Sequence, residues 1–489
     1  MWITIKRIYF NLEKYKHLEI SILKFSEVLE DNESFRIDSE YYKKEYLNSY
    51  NILKKCEYQR LHKISNTKGG KRLPIGEHFI TEGIPYIRAE DIRNSFVNYE
   101  NSPKISIELH NKLKKYQTKY NDVLLTIVGN SIGDIGIVKF NLDKCNLTEN
   151  AAKIVNLKLV KPDCLFIFLL SEYGQIQIRK EKVGTAQPKL ALERIKKFII
   201  PIFSPAFQSK IEELVKTSYN KLKESKELYK KAENLLLEEL GLKDFKPSEE
   251  NIAIKSFKES FLNTGRLDAE YYQPKYEEII EKIKSYRGGW DYLGNIVNWK
   301  KGIEVGSKAY QENGKGFLRV SDISKFGIEN ISKKISDELY EELKNEFKPK
   351  IGDILFTKDG TIGISYVVKE NIEAIVSGAF LRLTLKENYK NFSKETLSLI
   401  FNSIVSKMQV EKLSGGALIA HLKPSDFEKF VIPIINNNTQ TQIENLIQTS
   451  FKLKKESKEL LYLAVKVVEV AIEKNENIGM RFLKEVCNV

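Results

Sequence analysis

The sequence is poor in what would mark a secreted, metal-bound or membrane protein. Its 489 residues include four cysteines, Cys56, Cys145, Cys164 and Cys487, far apart and without a C-x-x-C. Five histidines, His17, His62, His78, His110 and His421, show no ligand-like spacing, so structural zinc and a disulfide framework are both disfavoured. The longest purely apolar run, LFIFLL at 165–170, falls far short of the ~20 residues a membrane helix needs. The opening MWITIKRIYF carries charge where a signal peptide would be apolar, so a cytoplasmic chain without membrane contact is expected. Only 12 prolines and 26 glycines, beside 42% hydrophobic and 30% charged residues, exclude a disordered or collagen-like chain.

Catalytic strings are also missing. There is no G-x-x-x-x-G-K-[ST] phosphate loop, which disfavours an ATP motor, and no N/D-P-P-Y/F stretch or Gly-rich turn for S-adenosylmethionine. No Ser/His/Asp or Cys/His set can be assembled. What is present in excess is positive charge: 79 Lys and Arg against 66 Asp and Glu leave +13, which favours a polyanion such as nucleic acid.

The chain also repeats itself. RIDSEYYKKEY at 36–46 returns as RLDAEYYQPKY at 266–276, with six of eleven positions identical at an offset of 230. PYIRAEDIR at 85–93 returns as FLRVSDIS at 317–324, NDVLLTIVGNSIGDIGIV at 121–138 as GDILFTKDGTIGISYVV at 352–368, and KFIIPI at 197–202 as KFVIPI at 429–434. KESKEL at 223–228 recurs letter for letter at 455–460. Five matches in one order, with offsets of 230 to 232, define two copies of a module of about 230 residues.

Each module ends in a long helix. After KFIIPIF, Ser204 serves as N-cap and Pro205 as first helical residue, and no breaker follows until Gly241. That is a helix of about 36 residues, or ~54 Å. The second begins near Asn438 or Thr439 and runs to about Glu473. Val215, Ser218, Leu222, Ser225, Tyr229, Ala232 and Leu236 form a heptad seam in the first, and Leu446, Ser450, Leu453, Ser457, Leu460, Ala464 and Val467 form one in the second. Small residues recur every seven positions on both, which would let two backbones approach closely. Mutual antiparallel pairing is expected; the alternative is that each helix lies on its own domain.

The remainder reads as α+β, with strands such as 352–357, 122–128 and 153–160 beside helices such as 389–411. The expected domains are a first globular part over 1–203, a helix over 204–241, a second globular part over 242–436, a helix over 437–475 and a tail over 476–489.

Candidate contacts to DNA lie in Gly-bearing basic loops. TKGGKRLP at 67–74 supplies Lys68, Lys71 and Arg72, and WKKGIEVGSKAY at 299–310 supplies Lys300, Lys301 and Lys308; glycine lets backbone approach a phosphate. Arg88 and Arg319, each three residues before an Asp, are candidates to read guanine, the alternative being an Arg–Asp pair that braces a turn. Arg93 joins the first set. The turns GNSIG and DGTIG offer Asn130, Ser131, Lys358 and Thr361, and each is equally readable as a plain hairpin. GTAQPKL and GGALIAHL supply Gln187, Lys189, His421 and Lys423, and Gln187 has Ile419 as counterpart, so its role is not shared. Asp353 with Thr357 and Lys358 faintly resembles a metal-nuclease set, but the first copy has Asp122, Thr126 and Ile127 there.

Together, RIDSEYY and RLDAEYY, the turns GNSIG and DGTIG, GTAQPKL, and IPI followed by Q-x-x-I-E (Gln208, Ile211, Glu212; Gln440, Ile443, Glu444) resemble the DNA specificity subunit of type I restriction-modification enzymes. The resemblance covers about 20–475. It implies two target recognition domains, each reading one half of a bipartite asymmetric site in double-stranded DNA. It further implies two conserved helical regions paired as an antiparallel coiled coil that sets the half-site spacing and docks two methyltransferase subunits, with restriction subunits outside. Such a chain is non-catalytic and holds no cofactor or metal; S-adenosylmethionine, ATP and Mg belong to its partners. The rival reading is a coiled-coil interaction scaffold without DNA specificity.

Overall fold

A computed structural model of the chain describes residues 19–29, 36–93, 95–140, 145–184, 188–250, 252–328, 331–414 and 421–487. The chain divides into two compact units, 1–222 with 455–489, and 223–454. Both are mixed α and β and are built on one plan. In the first, a five-stranded sheet is ordered Asn66–Gly69, Ala151–Val155, Val123–Thr126, Ile135–Ile137, Ser95–Phe96. In the second, the corresponding sheet runs Val297–Lys301, Phe380–Leu385, Ile354–Thr357, Ser365–Val367. Each unit adds a short ribbon that carries the IPI strand: Tyr58–Arg60 pairs with Ile199–Pro201, and Trp290–Tyr292 pairs with Val431–Pro433.

The repeat extends to individual hydrogen bonds. Gln177 accepts from the Ile199 N–H at 2.7 Å and donates to the Ile199 carbonyl at 3.0 Å; Gln409 does the same to Val431 at 2.8 and 3.0 Å. Arg36 pairs with Asp38 at 2.6 Å and Arg266 with Asp268 at 2.5 Å, and Tyr42 and Tyr272 donate back to the Arg36 and Arg266 carbonyls. RIDSEYY and RLDAEYY are therefore self-locked turns placed before a helix.

The first long helix spans Pro205–Glu239 and the second Asn437–Glu473. Ser204 Oγ accepts from the Phe207 N–H at 3.3 Å, and Gly241 follows at φ +65°, the left-handed conformation that closes a helix. Gln208 and Gln440 tie the start of each helix to its own domain: Gln208 accepts from Lys161 N–H at 2.7 Å, Gln440 from Ser393 N–H at 2.6 Å.

Within each unit the two helices pair antiparallel. In the first unit, Ser218 meets Ser457 and Lys221 pairs with Glu456 at 2.6 Å, while Phe207 lies near Ala471 and Gly479. In the second, Ser225 Oγ lies 3.1 Å from Ser450 Oγ, and Glu239 accepts from Thr439 at 3.1 Å. Ser218, Ser225, Tyr229, Ala232, Ser450, Ser457 and Ala464 are all buried, so the small-residue stripe is the contact line. Leu222, Leu446, Leu453 and Leu460 are half-buried. On the second helix the covered second row stands one residue on, at Ile447, Leu461 and Val468, because these face the core while their neighbours flank it.

Two local expectations need correction, and the tail carries an element that the sequence reading did not name. The stretch 389–411 is two helices, Lys394–Asn402 and Ile404–Ser414, broken at Ser403, whose hydroxyl accepts from the Val405 N–H at 3.2 Å and so restarts the chain. The strand at 153–160 stops at Val155, since Asn156 and Leu159 take positive φ. The tail contains a helix, Glu476–Cys487, whose Glu476 accepts from the Ser204 N–H at 2.8 Å at the start of the first long helix.

Candidate nucleic-acid interface

In the first unit, chain reversals bring distant basic residues to one concave surface of about 490 Å³, lined by Arg72, Arg88, Arg93, Ser131, Tyr86 and Phe79 among others. Arg72 comes from the loop after the edge strand, Arg88 and Arg93 from the turn after Ile84–Ile87, and Ser131 from the G-x-S-I-G turn. Lys68, Lys71 and Asn130 are exposed on or next to the segments that contribute to it, and Lys189 is exposed beside them. Lys189 bridges in backbone to Val128 and Val183, so the GTAQPKL segment runs beside the GNSIG turn. Gln187 lies outside the described residues.

Every arginine of this surface has a carboxylate partner. Arg72 Nε lies 2.6 Å from Glu149, a hydrogen bond that raises the guanidinium pKa, and its side chain is 81% exposed. Arg93 lies 3.9 Å from Asp134. Arg88 pairs with Glu90 and lies 3.4 Å from Asp91, which also accepts from the Arg88 N–H at 2.8 Å. Exposed pairs of this kind are worth little, ~0–1 kcal/mol, so a phosphate or base edge can replace the carboxylate at small cost.

The second unit places Arg319 alike: its N–H donates to Asp322 at 2.9 Å, and its guanidinium reaches Asp322 at 3.5 Å and Ser332 at 2.6 Å. The bracing alternative is thus the geometry present for both arginines, with the outer guanidinium nitrogens partly exposed. Lys300, Lys301, Lys308, Thr361 and Lys423 are exposed; His421 is exposed and pairs with Asp359, beside which its backbone also bridges. That bridge stands where Val128 and Lys189 meet in the first unit.

Two site expectations are corrected. Lys358 is 2% exposed and its ammonium lies 2.5 Å from Asp359, so it does not face solvent and orders the turn from beneath. The loop glycines serve packing: a Cβ on Gly70 would fall 2.0 Å from the Thr148 carbonyl oxygen, and one on Gly302 would fall 2.1 Å from that of Ser377. Sequence reasoning missed the buried cations of the central strands. Lys153, whose pKa is lowered by burial, donates to the Gln117 carbonyl, and Arg382 donates to the Lys348 carbonyl at 2.6 Å. Their signal was a cation at one register position in both copies, opposite Lys68 and Lys300. Among the described residues no group of three or more His, Cys, Asp or Glu is placed to hold a metal, and no helix is long and apolar enough to cross a membrane.

A profile of the type I restriction modification DNA specificity domain matches residues 53–234 and again 292–462. The chain therefore belongs to that family, with two copies of its domain. The type I restriction enzyme EcoBI specificity subunit of Escherichia coli is 33% identical over 133 residues, a match that spans 27% of this chain and 28% of that protein. Among solved structures, the type I restriction-modification S subunit from M. genitalium aligns at TM-score 0.37 and 16% identity over 86% of this chain and 95% of that one. The HsdS subunit from Thermoanaerobacter tengcongensis aligns at 0.28 and 13%, over 86% and 97%.

Proposed function

We propose that this chain is the specificity subunit of a type I restriction-modification complex and reads a bipartite, asymmetric site in double-stranded DNA, one half-site per globular domain. The observation that carries the reading is the convergence of Arg72, Arg88, Arg93 and Ser131 from separate segments on one basic concavity. Cations on such a surface displace phosphate counterions, and a guanidinium fork reads guanine in a major groove. The loops of the two units differ in sequence, which fits two different half-sites. The paired helices would set half-site separation at roughly one to one and a half turns of duplex and dock two methyltransferase subunits, with restriction subunits outside.

In this reading the chain itself does no chemistry. S-adenosylmethionine, ATP and Mg sit on the partners, and adenine methylation occurs in a partner pocket after base flipping. The chain would act in the cytoplasm, where host DNA and the partners are.

The test is a mobility-shift titration of the full chain, with its methyltransferase partner, on genomic fragments that contain or lack the adenines methylated in the host. Binding confined to methylated loci, falling linearly in log affinity with log salt, is expected. Equal binding to all fragments, or none, would refute the reading; none is what an interaction scaffold predicts.

A further inference from the structure

Each unit carries an aromatic residue that the DNA reading leaves unused. Phe96 and Phe326 stand one position off the local repeat offset of 231 set by Arg88 with Arg319 and Asp122 with Asp353, and in each unit the side chain leaves the globular domain to rest on the helix pair. In the first unit, strand Ser95–Phe96 lies parallel to Ile135–Ile137 and delivers Phe96 onto Tyr219 of the first long helix. The ring centroids are 5.1 Å apart at 67°, Phe166 stands behind at 6.3 Å, and Phe96 is 7% exposed.

In the second unit, a hairpin of Ile323–Ser324 with Gly327–Ile328 carries Lys325 and Phe326 at its tip, and Gly327 takes φ +109° to close it. The Phe326 ring lies 4.9 Å from Tyr229, which is itself 6.4 Å from Phe451. The Lys325 ammonium sits 4.9 Å from the Tyr229 centroid and 2.7 Å from Glu233, and Lys454 donates to the Phe326 carbonyl at 3.1 Å.

Each domain thus meets its helix pair both at the helix start and further along, where in the second unit Tyr366 on Phe451 at 5.7 Å and Asn402 on Tyr229 at 3.4 Å stand beside Phe326. At the helix start the tie is Gln208 or Gln440, and further along it includes the aromatic contact of Phe96 or Phe326. Tyr219 lies eleven residues past Gln208 and Lys454 fourteen past Gln440, or ~17 and ~21 Å of helix. Contacts at the start alone would leave a hinge there. Contacts at both places, that far apart, fix the angle between domain and helix.

From this geometry we infer that Phe96 and Phe326 are positioning residues that set the angle of each reading domain on the helix pair, and so make half-site spacing selective. The inference rests on the DNA reading above. Helix length alone sets a mean separation, whereas tolerance for a spacer one base pair longer or shorter depends on how stiffly each domain is held. Base contacts play no part in it, so the half-site sequences read should be indifferent to these residues.

Selection from a DNA library of two randomised blocks joined by spacers of varied length reads motif and spacing at once. The protein used is the full chain assembled with its methyltransferase partner. Wild type should return two half-motifs at one spacing. Phe326→Ala should return the same motifs, with the share of sites one base pair off rising about tenfold, the scale of losing one aromatic contact. Unchanged spacing with unchanged motifs overturns the inference. If Phe326→Ala loses the second motif through unfolding, Phe326→Leu decides, since it keeps an apolar side chain of similar size at the tip and removes the ring that meets Tyr229: wider spacing upholds the inference, wild-type spacing overturns it. A wild-type complex that selects no motif sinks the DNA reading, and this inference with it.

Discussion

Ser218 Oγ lies 2.9 Å from Ser457 Oγ and donates to the Ser457 carbonyl at 2.8 Å, with both residues buried between the long helices. A hydroxyl that reaches the main chain of a neighbouring helix shows that the two backbones are in near contact, as the seven-residue recurrence of small side chains anticipates. Ser218→Ala should cost about 1 kcal/mol, the net worth of a hydrogen bond. Ser218→Leu should cost more, ~1–3 kcal/mol, because its volume forces the helices apart. Urea unfolding of both variants checks the order; an equal loss would mean that close approach is not what the serine provides.

A second prediction separates phosphate binding from packing at the loop glycines. Gly302 takes an ordinary φ, and what forbids a side chain is the Ser377 carbonyl 2.1 Å from the Cβ position. Gly302→Ala and Gly70→Ala should therefore lower the melting temperature, with a loss of ~1–3 kcal/mol each. Were the glycines phosphate cradles instead, the variants would melt normally and bind DNA weakly.

The difference between these two cases explains what was legible in the sequence. Helix length, its Ser204 start and the pairing line are local or periodic properties, and they stand in the structure as the spacing predicts. The packing role of Gly70 depends on Leu147 and Thr148, nearly eighty residues away, and nothing in TKGGKRLP announces it. Lys358 misled for a related reason: a lysine beside a Gly-bearing turn reads as exposed, yet its stem is enclosed and Asp359 takes its charge. The convergence of Arg72 with Arg88 and Arg93 was likewise beyond pattern reading, since three segments meet only when the sheet is folded.

Burial also creates a dependence on paired charge. Lys139 and Asp163 lie 2.8 Å apart with side chains 5% and 0% exposed, and burial pushes the Asp163 carboxyl up while Lys139 opposes the shift. Lys369 and Glu395 form the corresponding pair in the second unit. Asp163→Asn leaves a buried ammonium without its counter-charge and should destabilise the first unit by ~3–5 kcal/mol. Adding Lys139→Met should recover most of that loss, because no lone charge then remains. Chemical denaturation of the single and double variants tests this, and a double variant as weak as the single would exclude the counter-charge explanation.

At the two turns, bracing and base reading by arginine predict different outcomes. Arg88 and Arg319 each hold an aspartate that accepts from their own N–H, and that carboxylate-to-backbone bond persists when the side chain is cut back. Arg88→Ala and Arg319→Ala should then fold with melting temperatures near wild type. If the guanidinium reads a base, each variant should relax one half-site while the other is kept, with a loss of ~1–3 kcal/mol of discrimination at a single position. Lys68→Ala and Lys300→Ala should behave differently, weakening all sequences alike and lowering the salt slope by about one each, as loss of a phosphate contact does. Binding titrations over a salt series with both half-sites varied distinguish the two patterns. Arginine variants that melt early and keep full discrimination would make these residues braces of the turn and move base reading elsewhere on the concavity.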